Sequence, residues 1–159
     1  MSGIVLSLFE LFKAMVKDRQ VFKYRGKDLI EKITIQPPFH YDTIFHNEGC
    51  FIYVKGASTK LLSSEVNLEL QDREAVLLKC GSYFADWIKE SANEVMVVAV
   101  HLYPEVLKHL YMNELPRVFS QRSATDQVKK IVPDDVITKF VDTLEFYFDN
   151  PGFVNEDFL

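Results

Sequence analysis

The chain has 159 residues, 48% of them hydrophobic and 26% charged, with a net charge of −5. These are the values of one globular domain, and they exclude disorder, a collagen-like repeat and a highly charged tail. The acidic balance argues against a surface that holds a nucleic-acid backbone unaided, and two cysteines, Cys50 and Cys80, are too few for a disulfide scaffold or a four-cysteine zinc site.

The first segment reads as an amphipathic helix over residues 1–18. Ile4, Val5, Leu8, Leu11, Phe12, Met15 and Val16 recur at helical spacing, with Glu10, Lys13 and Lys17 on the other face. It packs on its own domain or docks a partner; a polar face not notably rich in Lys and Arg speaks against a membrane surface. It has no basic leader or small-residue cleavage site, and the longest apolar run, Val95–Val100, is too short to cross a bilayer. A cytoplasmic protein with reduced thiols is the expectation, with no membrane partner.

Residues 19–102 have a different texture, with β-branched and aromatic runs between turn residues. Strands are expected at Gln20–Tyr24, Leu29–Ile35, Gly49–Val54, Lys60–Ser63, Asn67–Leu70, Ala75–Lys79, Ser82–Lys89 and Val95–Leu102. No long helix separates them, so an antiparallel barrel or sandwich is expected rather than a parallel α/β sheet. The last strand is apolar on both faces and belongs deep in a sheet. Lys17, Arg19, Lys23, Arg25, Lys27 and Lys32 gather basic charge early in the chain, either as a solvated hairpin face or as a surface for an anion or an acidic partner.

Residues 103–159 read as helical. Pro104 fits a first helical turn, and Ser123 with Asp126 fits a helix start followed by Val128, Ile131 and Val132. Pro133 opens a further helix with Asp134 and Asp135 in its first turn, a wide apolar stripe and an end at Asn150-Pro151-Gly152. Asn155 then caps what looks like another helix just beginning, as if the chain were a piece of something longer.

Catalytic patterns are weak. There is no Gly-rich phosphate loop and no Gly-X-Ser-X-Gly, and His40, His46, His101 and His109 form neither His-X-His nor His-Glu-X-X-His. No catalytic residue, metal ligand or cofactor is assigned. Barrel closure could still bring His46 and His101 together, which leaves a small cupin enzyme with a nonstandard metal site as the alternative. The cysteines read as small buried hydrophobes. The aromatic residues Phe51, Tyr53, Tyr83 and Trp87 are the candidate lining of a ligand cavity, with core packing as the other reading.

Several stretches together resemble the N-terminal regulatory domain of AraC-type transcription regulators, in the subgroup that includes type III secretion activators. Glu48–Gly56 is similar to its first core hairpin, Lys60–Leu70 to the next strand pair, and Glu74–Phe84 to the strand and turn that follow. Val95–Leu107 is similar to its last barrel strand leading into a helix, and Asn150-Pro151-Gly152-Phe153 to the break between its final helices. The resemblance implies a mainly β fold, a cupin-like antiparallel barrel followed by a helical dimerisation segment. It implies a homodimer, a small-molecule effector or regulatory protein as ligand, and promoter DNA reached only through a separate domain beyond residue 159. The dimer interface is expected at Ile137, Phe140, Val141, Leu144 and Phe148. A stand-alone cupin-like sensor is the remaining alternative. The helix before Arg19 and the missing cupin His-X-His pattern depart from the family's expectations.

Overall fold

The structure, a computed structural model, describes residues 16–36, 39–45, 48–64, 66–79, 81–87, 94–110, 128–132, 134–155 and 159. The expected helix before Val16, the helix start at Ser123, and Glu156–Phe158 lie outside the described residues. Among the described residues, the ten strands are β1 (Val16–Tyr24), β2 (Lys27–Ile35), β3 (Phe39–Phe45), β4 (Gly49–Lys55), β5 (Thr59–Leu62), β6 (Asn67–Leu70), β7 (Ala75–Leu78), β8 (Gly81–Trp87), β9 (Val95–Leu102) and β10 (Val128–Ile131). The helices are α1 (Pro104–Leu110) and α2 (Asp135–Asp149). One sheet runs β1-β2-β9-β4-β7-β10 and the other β3-β8-β5-β6, with every pairing antiparallel.

Local chemistry explains the corners. The β1–β2 hairpin turns through Arg25 and Gly26, at φ of 50° and 77°, the left-handed pair that a two-residue hairpin loop needs. The chain leaves the six-stranded sheet after β4 through Gly56, whose φ is +108°. A Cβ there would sit 2.7 Å from the Glu94 carbonyl oxygen, so the close approach requires glycine. The Gly56 amide donates to Asp72 Oδ1 at 2.7 Å, and the Arg73 amide donates to the Val54 carbonyl at 2.8 Å, tying the outgoing corner to the returning one.

β9 lies between β2 and β4, and its two faces belong to two cores. Val95, Val97 and Ala99 face the space between the sheets with Ile35, Cys50, Val54, Leu61, Leu70, Val76, Leu78 and Tyr83. Met96, Val98 and Val100 face outward, under α2, with Ile30, Phe51, Tyr53 and Ala75. The expected burial of this strand on both sides is therefore met. β6, a strand expected at these bounds, alternates, with Leu70 buried and Asn67 and Glu69 exposed.

Four expectations change. Val16–Asp18 belong to β1 rather than to a helix, because Val16 pairs with Ile35 and Asp18 with Thr34. The stretch around His40, where no strand was expected, contains β3, which pairs with β8 along its whole length. Val128 and Ile131, read as helical, form β10 and pair with Leu78 and Ala75 of β7. The basic residues of the first hairpin are neither a bare solvated face nor a free anion site. Lys17 pairs with Glu94 at 2.6 Å, Lys23 with Asp28 at 3.1 Å and Lys32 with Asp149 at 3.7 Å, while Lys27 pairs with Glu105 and Arg19 with Glu31.

α2 starts where Asp134 caps it, accepting from the Ile137 amide at 2.9 Å. It ends at Asn150, whose amide and side chain both return to the Phe146 carbonyl, at 3.0 and 2.9 Å. Val141, Leu144 and Phe148 recur on one side and are buried against the outer face of the six-stranded sheet. Each such burial is worth roughly 1.5–3 kcal/mol. Phe148 stacks on Phe22 of β1 with centroids 4.4 Å apart, Gln20 donates to the Phe148 carbonyl at 3.0 Å, and Lys55 Nζ meets Glu145 Oε1 at 3.1 Å.

Candidate functional site: a histidine between two carboxylates

The inward-facing row of β9 runs Val95, Val97, Ala99 and then His101. The corresponding row of β2 runs Ile35, Ile33 and then Glu31, and Cys50 of β4 pairs across from His101, with Glu48 two residues before it. Strand alternation thus continues three apolar rows into a polar cluster at one end of the barrel. His101 Nε2 lies 2.6 Å from Glu31 Oε2, and its Nδ1 lies 2.9 Å from Glu48 Oε2. The His101 and Glu31 side chains are only 12% and 11% exposed, so the charges are held largely out of water.

The surrounding groups complete the cluster. Arg19 of β1 donates from Nε to Glu31 Oε1 at 2.9 Å, donates to the same oxygen from Nη2, and reaches Asp28 Oδ2 at 3.0 Å. Tyr103 lies along the His101 ring, centroids 5.7 Å apart and planes 16° from parallel, and its hydroxyl donates to the Asp28 carbonyl at 3.0 Å. Lys27 Nζ sits 4.7 Å from the centre of the Tyr103 ring.

Burial by itself would lower the His101 pKa, but the bond to Glu31 and the charges of Glu31 and Glu48 outweigh it and hold it above the ordinary value. Burial would raise Glu31, but bonds from His101 and Arg19 pull it below the ordinary carboxylate value. Burial, with the charges of Glu48, Asp28 and Glu31, pushes Tyr103 up to about 12. Burial also drives the Cys50 thiol far up, which removes the thiolate a nucleophile or redox centre needs. Both ring nitrogens of His101 are turned to carboxylates. His46 and the His40 side chain lie outside the described residues.

The four aromatic candidates do not share one face. Phe51 and Tyr53, 9% and 4% exposed, face outward and form the seat of α2, where Phe51 meets Phe140 edge to face at 6.0 Å. Tyr83 is buried between the sheets and donates its hydroxyl to the Lys79 carbonyl at 2.8 Å. Trp87 pairs with Phe39 and Thr59 along β8, and its side chain lies outside the described residues. The five candidate interface residues divide as well. Val141, Leu144 and Phe148 face the chain's own sheet, Ile137 is half-buried beside them, and Phe140 is 41% exposed.

Sequence reading did not single out Glu31 or Glu48. Glu31 carried a readable signal, because it is a charged residue in the middle of the apolar run Leu29–Ile35 and on its core face must be paired.

Comparison with known proteins places this architecture. The family described as the ExsA N-terminal regulatory domain matches residues 49–159, from the first residue of β4 onward. No curated protein sequence matches the chain. Among solved structures, ToxT of Vibrio cholerae strain SCE256 with an unsaturated fatty acid bound is 14% identical with a TM-score of 0.57, over 82% of this chain and 49% of that one. ToxT of Vibrio cholerae O395 bound to (E)-4-(8-methylnaphthalen-1-yl)but-3-enoic acid is 11% identical with a TM-score of 0.55, over 76% and 49%. The chain thus spans about half the length of these structures, and the likeness is one of fold, the cupin-like antiparallel barrel. The match across β4, the strands that follow it and α2 settles the family: the chain belongs to the ExsA N-terminal regulatory domain family, the regulatory domain of AraC-type transcription regulators.

Proposed function

We propose that this domain works by binding rather than by chemistry: it receives an effector in or beside the barrel and passes the change to self-association through α2. The observation that carries the reading is the family match over residues 49–159, which takes in the barrel wall and the helix that rests on it. DNA binding resides in a segment outside this chain, consistent with its net charge of −5. The reading also assigns the protein to the cytoplasm, where a transcription regulator meets its promoter.

The effector class suggested by the ToxT structures is a small apolar carboxylic acid. Tyr83 is the residue assigned to contact it within the barrel. Phe51 and Tyr53 act one step later, because they carry α2 on the outer face of the other, six-stranded sheet. Self-association uses the side of α2 left open by its own sheet, at Phe140 and Val136, rather than Val141, Leu144 and Phe148. A ligand shifts such an equilibrium only through different affinity for the two states.

The test is sedimentation velocity and thermal melting of the chain with increasing amounts of an unsaturated fatty acid. The expected result is a melting temperature that climbs with ligand concentration, together with a changed association state that Phe140→Asp abolishes. No stabilisation below the ligand's own aggregation threshold, and an association state indifferent to both ligand and Phe140→Asp, would overturn the proposal.

A further inference from the structure

We propose that His101, Glu31 and Glu48 form a proton-operated latch that joins β2, β9 and the residues leading into β4 at one end of the barrel. An ionised carboxylate only accepts hydrogen bonds, so a ring placed 2.6 Å and 2.9 Å from two of them must donate from both nitrogens. That requires the imidazolium. Glu31 stays ionised because Arg19 also donates to it, so the proton belongs to the ring.

Loss of that proton leaves one ring nitrogen as a lone pair facing a carboxylate, inside a site largely closed to water. The two arms of the latch differ. Glu31 keeps Arg19 as a second partner, whereas Glu48 meets the cluster through His101 Nδ1. Glu48 is therefore the arm that releases, and it carries the start of β4 with it. Among the described residues, the other groups named around the ring do not replace the lost donor. Cys50 across the strand pair is a buried neutral thiol, Tyr103 spends its hydroxyl on the Asp28 carbonyl, and Lys27 lies against the far aromatic ring and Glu105. Asp28 adds only further negative charge, already paired with Arg19 and Lys23.

The direction follows from the geometry. The folded state favours the protonated ring, so the latch is closed while the ring is protonated and the carboxylates are ionised, and it opens as the solution becomes alkaline. Opening occurs where β9 runs into Tyr103 and α1, so the change reaches the barrel's connection to the following helix.

The experiment follows the imidazole nitrogens of the isotope-labelled full chain by NMR from about pH 5 to about pH 10, which brackets the ordinary histidine value of about 6.5. His101 is assigned by the signals lost in His101→Gln. The expected result is a ring protonated at both nitrogens at neutral pH, with a midpoint above the ordinary value. The amides of Glu48, Gly49, Cys50 and Tyr103 move with that same midpoint, and Glu48→Gln shifts it downward. A ring already neutral at pH 7 overturns the latch. So does a ring that titrates while those amides stay still, or a midpoint that Glu48→Gln leaves in place. Should Glu48→Gln fail to fold, the ring and amide titrations of the unaltered chain decide the matter by themselves.

Discussion

Phe148→Ala is the sharpest test of how the helical part is attached to the barrel. Phe148 is 1% exposed, stacks on Phe22 at 4.4 Å and shares a core with Val141, Leu144, Ile30, Phe51 and Val98. Truncating a buried phenylalanine removes its transfer energy and leaves a cavity, together about 3–5 kcal/mol. A domain of this size loses about 2–4 °C of melting temperature per kcal/mol, so the expected fall is roughly 6–20 °C. The assay is urea and thermal unfolding followed by far-ultraviolet circular dichroism, with Phe146→Ala as the paired control. Phe146 is on the same helix but 53% exposed, and its truncation should change stability by less than about 0.5 kcal/mol. If Phe148→Ala leaves stability unchanged yet abolishes self-association, the residue faces a second subunit rather than its own sheet, and the intramolecular docking of α2 is wrong.

Three further outcomes follow from individual sites. Gly56→Ala should destabilise by about 1–3 kcal/mol in denaturant unfolding, since it forces an L-residue to positive φ with its Cβ against the Glu94 carbonyl; a neutral result would mean the β4–β5 corner is built differently. Asp134→Ala should cost about 0.5–2 kcal/mol and reduce helical ellipticity, because the Ile137 amide loses its acceptor. The acid limb of stability should depend on Glu31. Its folded value lies below the unfolded 4.5, so its contribution is complete above that pH and fades as pH falls through the folded value. Glu31→Gln should therefore flatten the acid limb, and an unaltered pH profile would remove Glu31 from the account.

The elements that were legible in the sequence are those whose pattern has one physical reading. β9 is apolar at inner and outer positions alike from Val95 to Val100, which only a strand between two cores requires, and its place between β2 and β4 agrees. α2 announced itself by its apolar stripe and its acidic start. What the stripe faces was not legible, because an amphipathic helix has the same pattern whether it covers its own sheet or a partner's. β10 failed for a related reason. Val128, Ile131 and Val132 fit helical spacing, and four residues cannot settle the period; the unpaired edge of β7, fifty residues earlier in the chain, makes this segment a strand. β3 was obscured by His40 and by the Pro37-Pro38 step before it. The polar cluster joins Arg19, Glu31, Glu48 and His101 from four separate segments, so each residue was visible but their meeting depends on register, which no local pattern supplies.

The shared wall formed by β9 also constrains how this domain can vary over generations. Its even and odd positions serve different compartments, so in-frame loss of one codon near Val95 would exchange the two sets along the rest of the strand. The imidazole of His101 would be turned toward the phenylalanines beneath α2, while Val100 would be brought among the carboxylates. Point substitutions can be absorbed one compartment at a time, but length changes here strike both together. Lineages carrying this fold should therefore collect their insertions and deletions in the connections and keep the count of residues from Val95 to Leu102 fixed.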